Sequence, residues 1–128
     1  MATDVDGRRA VIAGQNDLVR AALANPQSNK DAKAQGLKWK LVWTPGIDDA
    51  FMQTGKITEL ARAVAEFEAW DADNDPYKER DFASLEVSGN KVFFKIDYYN
   101  LTLDGGSEDP ADPAQTMRVI TLMLPSEY

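Results

Sequence analysis

The chain has 128 residues and a net charge of −7, enough for one domain with a real core, and 44% of it is hydrophobic. It holds no histidine and no cysteine, which excludes disulfides, thiol nucleophiles, histidine acid–base work and the usual zinc sites. No apolar run is long enough to span a membrane and the N-terminus lacks a signal-peptide pattern, so a cytoplasmic protein is expected.

The charge is unevenly spread. Residues 1–44 carry seven basic and four acidic side chains, whereas residues 45–128 carry seven and seventeen, a balance of +3 against −10. Such an acidic C-terminal two-thirds repels phosphates and favours a basic protein partner. Solubility alone is the plain alternative.

Residues 1–7 are expected to be disordered, and residues 8–128 to form a single domain. Val11, Ile12, Leu18, Val19, Ala22 and Leu23 recur at the helical period and predict a helix over residues 8–24. Asn25-Pro26 stops it, because the residue before proline avoids helical geometry. Residues 25–36 read as a polar loop. Over residues 37–44, Leu37, Trp39, Leu41 and Trp43 alternate with Lys38 and Lys40, the pattern of a half-buried strand.

Pro45-Gly46 ends that strand, and Phe51 and Met52 are expected core contacts in the connector. Ile57, Leu60, Ala61, Val64, Phe67 and Trp70 predict a second helix over residues 56–71. Strands follow at 82–87 and 91–99, joined by the hairpin turn Ser88-Gly89-Asn90. A last strand covers 116–124. The expected fold is α+β: an antiparallel sheet of four strands with two helices on one face, in the order α-β-α-β-β-β.

Two acidic loops interrupt these elements. The first holds Asp71, Asp73, Asp75, Glu79 and Asp81; the second runs Asp104-Gly105-Gly106-Ser107-Glu108-Asp109-Pro110-Ala111-Asp112-Pro113. Asp71-x-Asp73-x-Asp75 matches the opening of a helix-flanked calcium loop. That loop also needs glycine at its sixth position and glutamate at its twelfth, and Pro76 and Phe82 stand there. No metal site or cofactor is therefore assigned. Asp and Asn also cap turns by accepting from nearby amides, which gives the carboxylates a structural use.

Catalysis would have to rest on carboxylates with Tyr or Lys, and no spacing places two carboxylates at a working separation. No catalytic residue is assigned. Trp39 and Trp43 fall on the strand face opposite Lys38 and Lys40, which argues for core packing and against nucleic-acid stacking. If helices cover one sheet face, Phe93, Asp97 and Tyr99 lie on the open one, a candidate partner or homodimer surface.

From about residue 9 onward the chain resembles a bacterial family of domains of unknown function, number 3768. The resemblance rests on Asp73-Asn74-Asp75-Pro76-Tyr77, Glu79, Asp81-Phe82, Lys95-Ile96-Asp97-Tyr98-Tyr99, Gly106-Ser107, Asp109-Pro110-x-Asp112-Pro113, Thr116-x-Arg118-Val119 and Glu127-Tyr128. Arg80 stands where such proteins look to have histidine. The resemblance implies an accessory protein of plasmids and prophages encoded near anti-restriction functions, and no established activity.

The expected function is thus a non-catalytic, acidic protein-binding protein. Its expected form is a mobile-element inhibitor of bacterial defence (anti-CRISPR or anti-restriction) that sets carboxylates against a basic nucleic-acid-binding surface. The expected contact residues are Asp71, Asp73, Asp75, Glu79, Asp81, Asp97, Tyr99, Glu108, Asp109 and Asp112. The expected partner is a basic protein or nucleoprotein complex, with no direct nucleic acid and no membrane. The alternatives are a calcium or magnesium module or hydrolase built on the acidic loops, and an oligomeric scaffold.

Overall fold

Four strands, β1 (Trp39–Trp43), β2 (Phe82–Val87), β3 (Asn90–Tyr99) and β4 (Met117–Met123), form one sheet in the order β1-β4-β3-β2. The structure is a computed structural model that describes residues 2–128, with side chains from residue 5 onward. The strands form where the sequence alternates. Val92, Phe94 and Ile96 of β3 and Ile120 and Leu122 of β4 point to one face and are almost wholly buried there.

The sheet is mixed, where an antiparallel one was expected. β2–β3 and β3–β4 are antiparallel, but β1 runs parallel to β4, with Leu41 opposite Ile120 and Trp43 opposite Leu122. The cause is the connection. The chain leaves β1, runs through helices, enters the sheet at its far edge and returns by a meander that ends beside β1. Such a crossover permits parallel pairing, whereas a tight turn would forbid it. The β2–β3 turn is a two-residue hairpin with Ser88 at φ 51 and Gly89 at φ 79, the geometry that matches strand twist.

Among the described residues four α-helices are present where two helices were expected: α1 (Ala2–Ala21), α2 (Pro26–Ala34), α3 (Pro45–Ile47), which continues into a π-helical turn (Asp48–Met52), and α4 (Ile57–Ala65). The first helix begins six residues before the predicted start at residue 8; Met1 lies outside the described residues. The helix ends at Ala21, three residues before the predicted end, and Asn25-Pro26 follows a short turn and opens α2. The Asn25 side chain accepts from the Gln27 and Ser28 amides, and Pro26 occupies the first helical position, where its missing N–H costs nothing. Residues 25–36 are therefore mostly helix, anchored by the fully buried Ala32.

Helix α4 stops at Ala65, six residues before the predicted end. Arg20 of α1 explains much of this. Its guanidinium, 2% exposed, donates from Nη1 to the Val64 carbonyl at 3.0 Å and to the Phe67 carbonyl at 3.3 Å. A neighbouring side chain thus satisfies carbonyls that a longer helix would bond internally. Phe67 and Trp70 still reach the core from the irregular segment that follows, each packed edge-on against Phe94. Phe51 is fully buried as expected, but Met52 is 46% exposed, so only the first of that pair joins the core.

All four helices contribute to the core on one sheet face. The other face is partly covered by the C-terminal turn Pro125–Glu127, where Tyr128 stacks edge-on with Phe82 and Phe93 at ring centroid distances of 5.7 Å. Glu127 clamps that turn. It accepts from Thr44 Oγ1 at 2.6 Å, the Gly46 amide at 3.0 Å and the Leu124 amide at 3.0 Å. These donors hold its carboxyl below the usual glutamate range, the Thr44 hydroxyl most of all.

Candidate functional site

Helix α1 carries three consecutive polar residues, Gln15, Asn16 and Asp17, near the middle of a helix that is otherwise apolar toward the sheet. Asn16 is fully buried. Burial of an amide costs several kcal/mol unless each donor and acceptor is met, on the order of 1–3 kcal/mol per orphaned group. Here they are met. Asn16 Nδ2 donates to the Tyr98 hydroxyl at 2.8 Å and to the Glu79 carbonyl at 2.9 Å, while its Oδ1 accepts from Arg118 Nε at 2.8 Å.

Arg118 enters this network from β4. It is wholly buried and sits on the inner sheet face, two residues before Ile120. Its Nη2 donates to Gln15 Oε1 at 2.6 Å and to the Pro110 carbonyl at 3.0 Å, and its guanidinium lies 5.3 Å from the Tyr98 ring centroid. Burial lowers its pKa, with the Glu79 carboxylate among the groups opposing the shift. One cation thus bonds α1 and the second acidic loop directly, and feels the charge of the first.

The first loop is fastened at several points. The Tyr98 hydroxyl donates to Glu79 Oε1 at 3.0 Å, and burial raises its pKa far above the ordinary phenol value. Asp71 Oδ1 accepts from the Asp73 and Asn74 amides, and Asp75 Oδ1 from the Arg80 amide at 2.8 Å. Asn74 Oδ1 accepts from the Ser84 amide of β2 at 3.0 Å. Arg80 forms an ion pair with Asp17, which also holds Arg20 at 2.5 Å. Lys78 and Arg80 both adopt left-handed backbone, at φ 59 and 56, which places Glu79 between two strained residues and turns it inward. A cleft of about 460 Å³ remains between this loop and α1, lined by Asp17, Trp70, Asp75, Lys78 and Arg80 among others.

The second loop is held in the same manner. Asp109 pairs with Arg8 at 2.7 Å, and Gln15 Nε2 donates to the Ala111 carbonyl at 2.9 Å. Asp112 accepts from the Ala114 amide and from Gln115 Nε2, contacts that lower its pKa, Gln115 foremost. Asp104 is likewise lowered by the Asn100 amide and the Thr102 hydroxyl.

The predicted contact residues therefore divide. Asp71, Asp75, Asp109 and Asp112 serve as backbone caps, and Glu79 faces inward to Tyr98. Asp73 and Glu108 are exposed, and their carboxylates have no hydrogen-bond partner among the described residues. Asp81 is half-buried. Its Oδ1 meets no donor among the described residues, and burial, then the neighbouring Glu79, pushes its carboxyl up to about 6.

Asp97 and Tyr99 stand apart from the loop carboxylates. They line a shallow groove of about 390 Å³ on the open sheet face with Lys95, Thr121, Met123, Glu127 and Tyr128, and Asp97 pairs with Lys95 at 3.1 Å. Among the described residues no group of three or more carboxylates converges as a metal ion requires. No helix among them is long and apolar enough to cross a membrane.

Sequence reasoning missed Gln15, Asn16 and Asp17, which lie outside the apolar stripe that predicts the helix. The available signal was their pairing with Arg118, a cation at an inward position of an otherwise apolar strand.

An α+β fold with a mixed four-stranded sheet and two acidic loops gathered on its first helix defines the class structurally. Residues 43–127 match the family described as protein of unknown function (DUF3768), and the chain belongs to that family. No curated protein and no solved structure matches it.

Proposed function

We propose that the protein is a non-catalytic binding protein whose two acidic loops form one anionic surface for a basic partner. The observation that supports this reading is the disposition of seven loop carboxylates, Asp71, Asp73, Asp75, Asp104, Glu108, Asp109 and Asp112, with Glu79 turned inward and Asp81 half-buried behind them. Both loops are bonded to α1, and among the described residues only Asp109 is paired with a cation. Amide caps fix the loops. A rigid cluster with a net negative charge accelerates encounter with a basic surface and loses little entropy on binding.

The partner we propose is the basic nucleic-acid-binding surface of a bacterial defence complex, CRISPR or restriction, with the protein acting as a mobile-element inhibitor. Small size, net charge and fixed carboxylates support that form of the reading, because carboxylates can stand where phosphates would bind.

The test uses the immobilised protein and lysates of cells expressing a purified-tag CRISPR or restriction complex. Capture of the complex that weakens with salt is expected. A D71N/D73N/E108Q/D112N variant should lose it, because the amides keep the caps and remove four charges. Failure to capture any such complex, or equal capture by the variant, would contradict the reading. In cells, expression of the protein should protect incoming DNA from the defence system, and the variant should not.

A further inference from the structure

A second charged surface, of opposite sign, lies between α2 and α4. Helices α2 and α4 both pack on α1 and leave a groove of about 700 Å³ between them. Its floor is apolar and mostly small: Ala22, Leu23, Ile57 and Ala61. Its rim holds Lys30, Lys33 and Arg62, and no carboxylate lines it. Among the described residues none of these three cations forms an ion pair. The acids on the same helices are turned elsewhere, Asp31 to Gln27 and Glu59 to Ser88. In a chain of net charge −7, three unpaired cations around an apolar trough form a local exception.

The same molecule carries a shape that suits this groove. After β3 the chain turns through residues 100–104 and presents Leu101 and Leu103, which are 48% and 40% exposed. The turn is rigid. Asn100 Oδ1 accepts from the Asp104 amide, the Leu103 amide donates to the Asn100 carbonyl, and Asp104 accepts from Asn100 and Thr102. Leu103 is held at φ 62, an unfavourable conformation for a leucine without a local use. Asp104 and Glu108 flank the two leucines with exposed charge.

We propose that the Leu101–Leu103 turn of one copy docks into the α2–α4 groove of a second copy. The leucines cover the apolar floor, and Asp104 and Glu108 face Lys30, Lys33 and Arg62. Within its own chain the turn does not occupy the groove: Leu101 and Leu103 are exposed and neither lines it. The contact joins two different surfaces, so it is head-to-tail and propagates from copy to copy. Two leucines and a few charges support weak, concentration-dependent association. A nucleic acid does not suit the groove, since it has no aromatic side chain for stacking and the whole chain is acidic.

Sedimentation velocity tests this. A sedimentation coefficient that rises over roughly 10 µM to 1 mM, and rises less in high salt, is expected. K30E/K33E and L101S/L103S should each sediment as a monomer. Mixed together, they should form a dimer that grows no further, since each retains the half that the other lacks. All four positions are exposed or at helix surfaces, and thermal melts should match the parent. Concentration-independent monomer for the parent, association unchanged by either variant, or no dimer on mixing would each overturn the proposal. The groove variant leaves every loop carboxylate in place, so loss of self-association is separable from loss of the basic partner.

Discussion

Apolar and polar stretches along α1 solve the same packing problem by different chemistry. Val19 in its last turn, and Ala22 just beyond its end, are buried in a hydrophobic cluster with Leu60 and Val64. The turns before bury Ile12 and Ala13 but also Asn16, and receive Arg118 from the sheet. The apolar side chains need only volume and are tolerant of repacking. The polar stretch needs its partners, because each missing bond leaves a buried group unsatisfied. What the polar stretch provides is placement: both acidic loops take their position from side chains of one helix and one arginine.

That contrast sets the sizes of the expected effects. Arg118→Met should be the most damaging change, about 3–5 kcal/mol, because it orphans Gln15 Oε1, Asn16 Oδ1 and the Pro110 carbonyl at once. Chemical denaturation measures it. A loss below about 1 kcal/mol would mean that the network is ornamental. Val19→Ala, within the hydrophobic cluster, should cost less, about 1–3 kcal/mol, and should leave the loops' amide protection unchanged.

Gly46→Ala probes the clamp that fastens the C-terminal turn. A Cβ there would lie 2.5 Å from Glu127 Oε1 and 2.6 Å from Leu124 Cδ1, so the turn must shift. A loss of about 1–3 kcal/mol is expected, with increased exposure of Tyr128 fluorescence to quencher.

The smallest effect concerns Asp81. Its folded pKa of about 6 lies above the ordinary aspartate value of 3.8, so between these the folded state binds more protons than the unfolded state. Its contribution to stability therefore improves as pH falls from 7 through 6 toward 4 and worsens as pH rises. Asp81→Asn should remove that dependence and stabilise the protein at pH 7 by about 1 kcal/mol, less than the full shift because solvent reaches the group. Parallel denaturation curves at pH 7 and pH 5 check the sign.

The strands were legible because alternation is a strong local signal, and β1 to β4 lie within two residues of their predicted bounds. Parallel pairing of β1 was not legible, since register between distant strands depends on the path of the intervening helices. Asn25-Pro26 was read only as a stop, although asparagine followed by proline is equally a start. The early end of α4 depends on Arg20, a residue 44 positions from the carbonyl that it bonds. For the site, the acidic loops were plain in the sequence but their fastening was not. Asn16, Arg118, Tyr98 and Glu79 are dispersed along the chain and meet only in the folded molecule.

Amide hydrogen exchange on the Arg118→Met variant tests most directly that the two loops are one organised surface. Residues 71–81 and 104–113 should lose protection together, while α2 and the β2–β3 hairpin keep theirs. Loss confined to the second loop, or protection unchanged in both, would contradict the account.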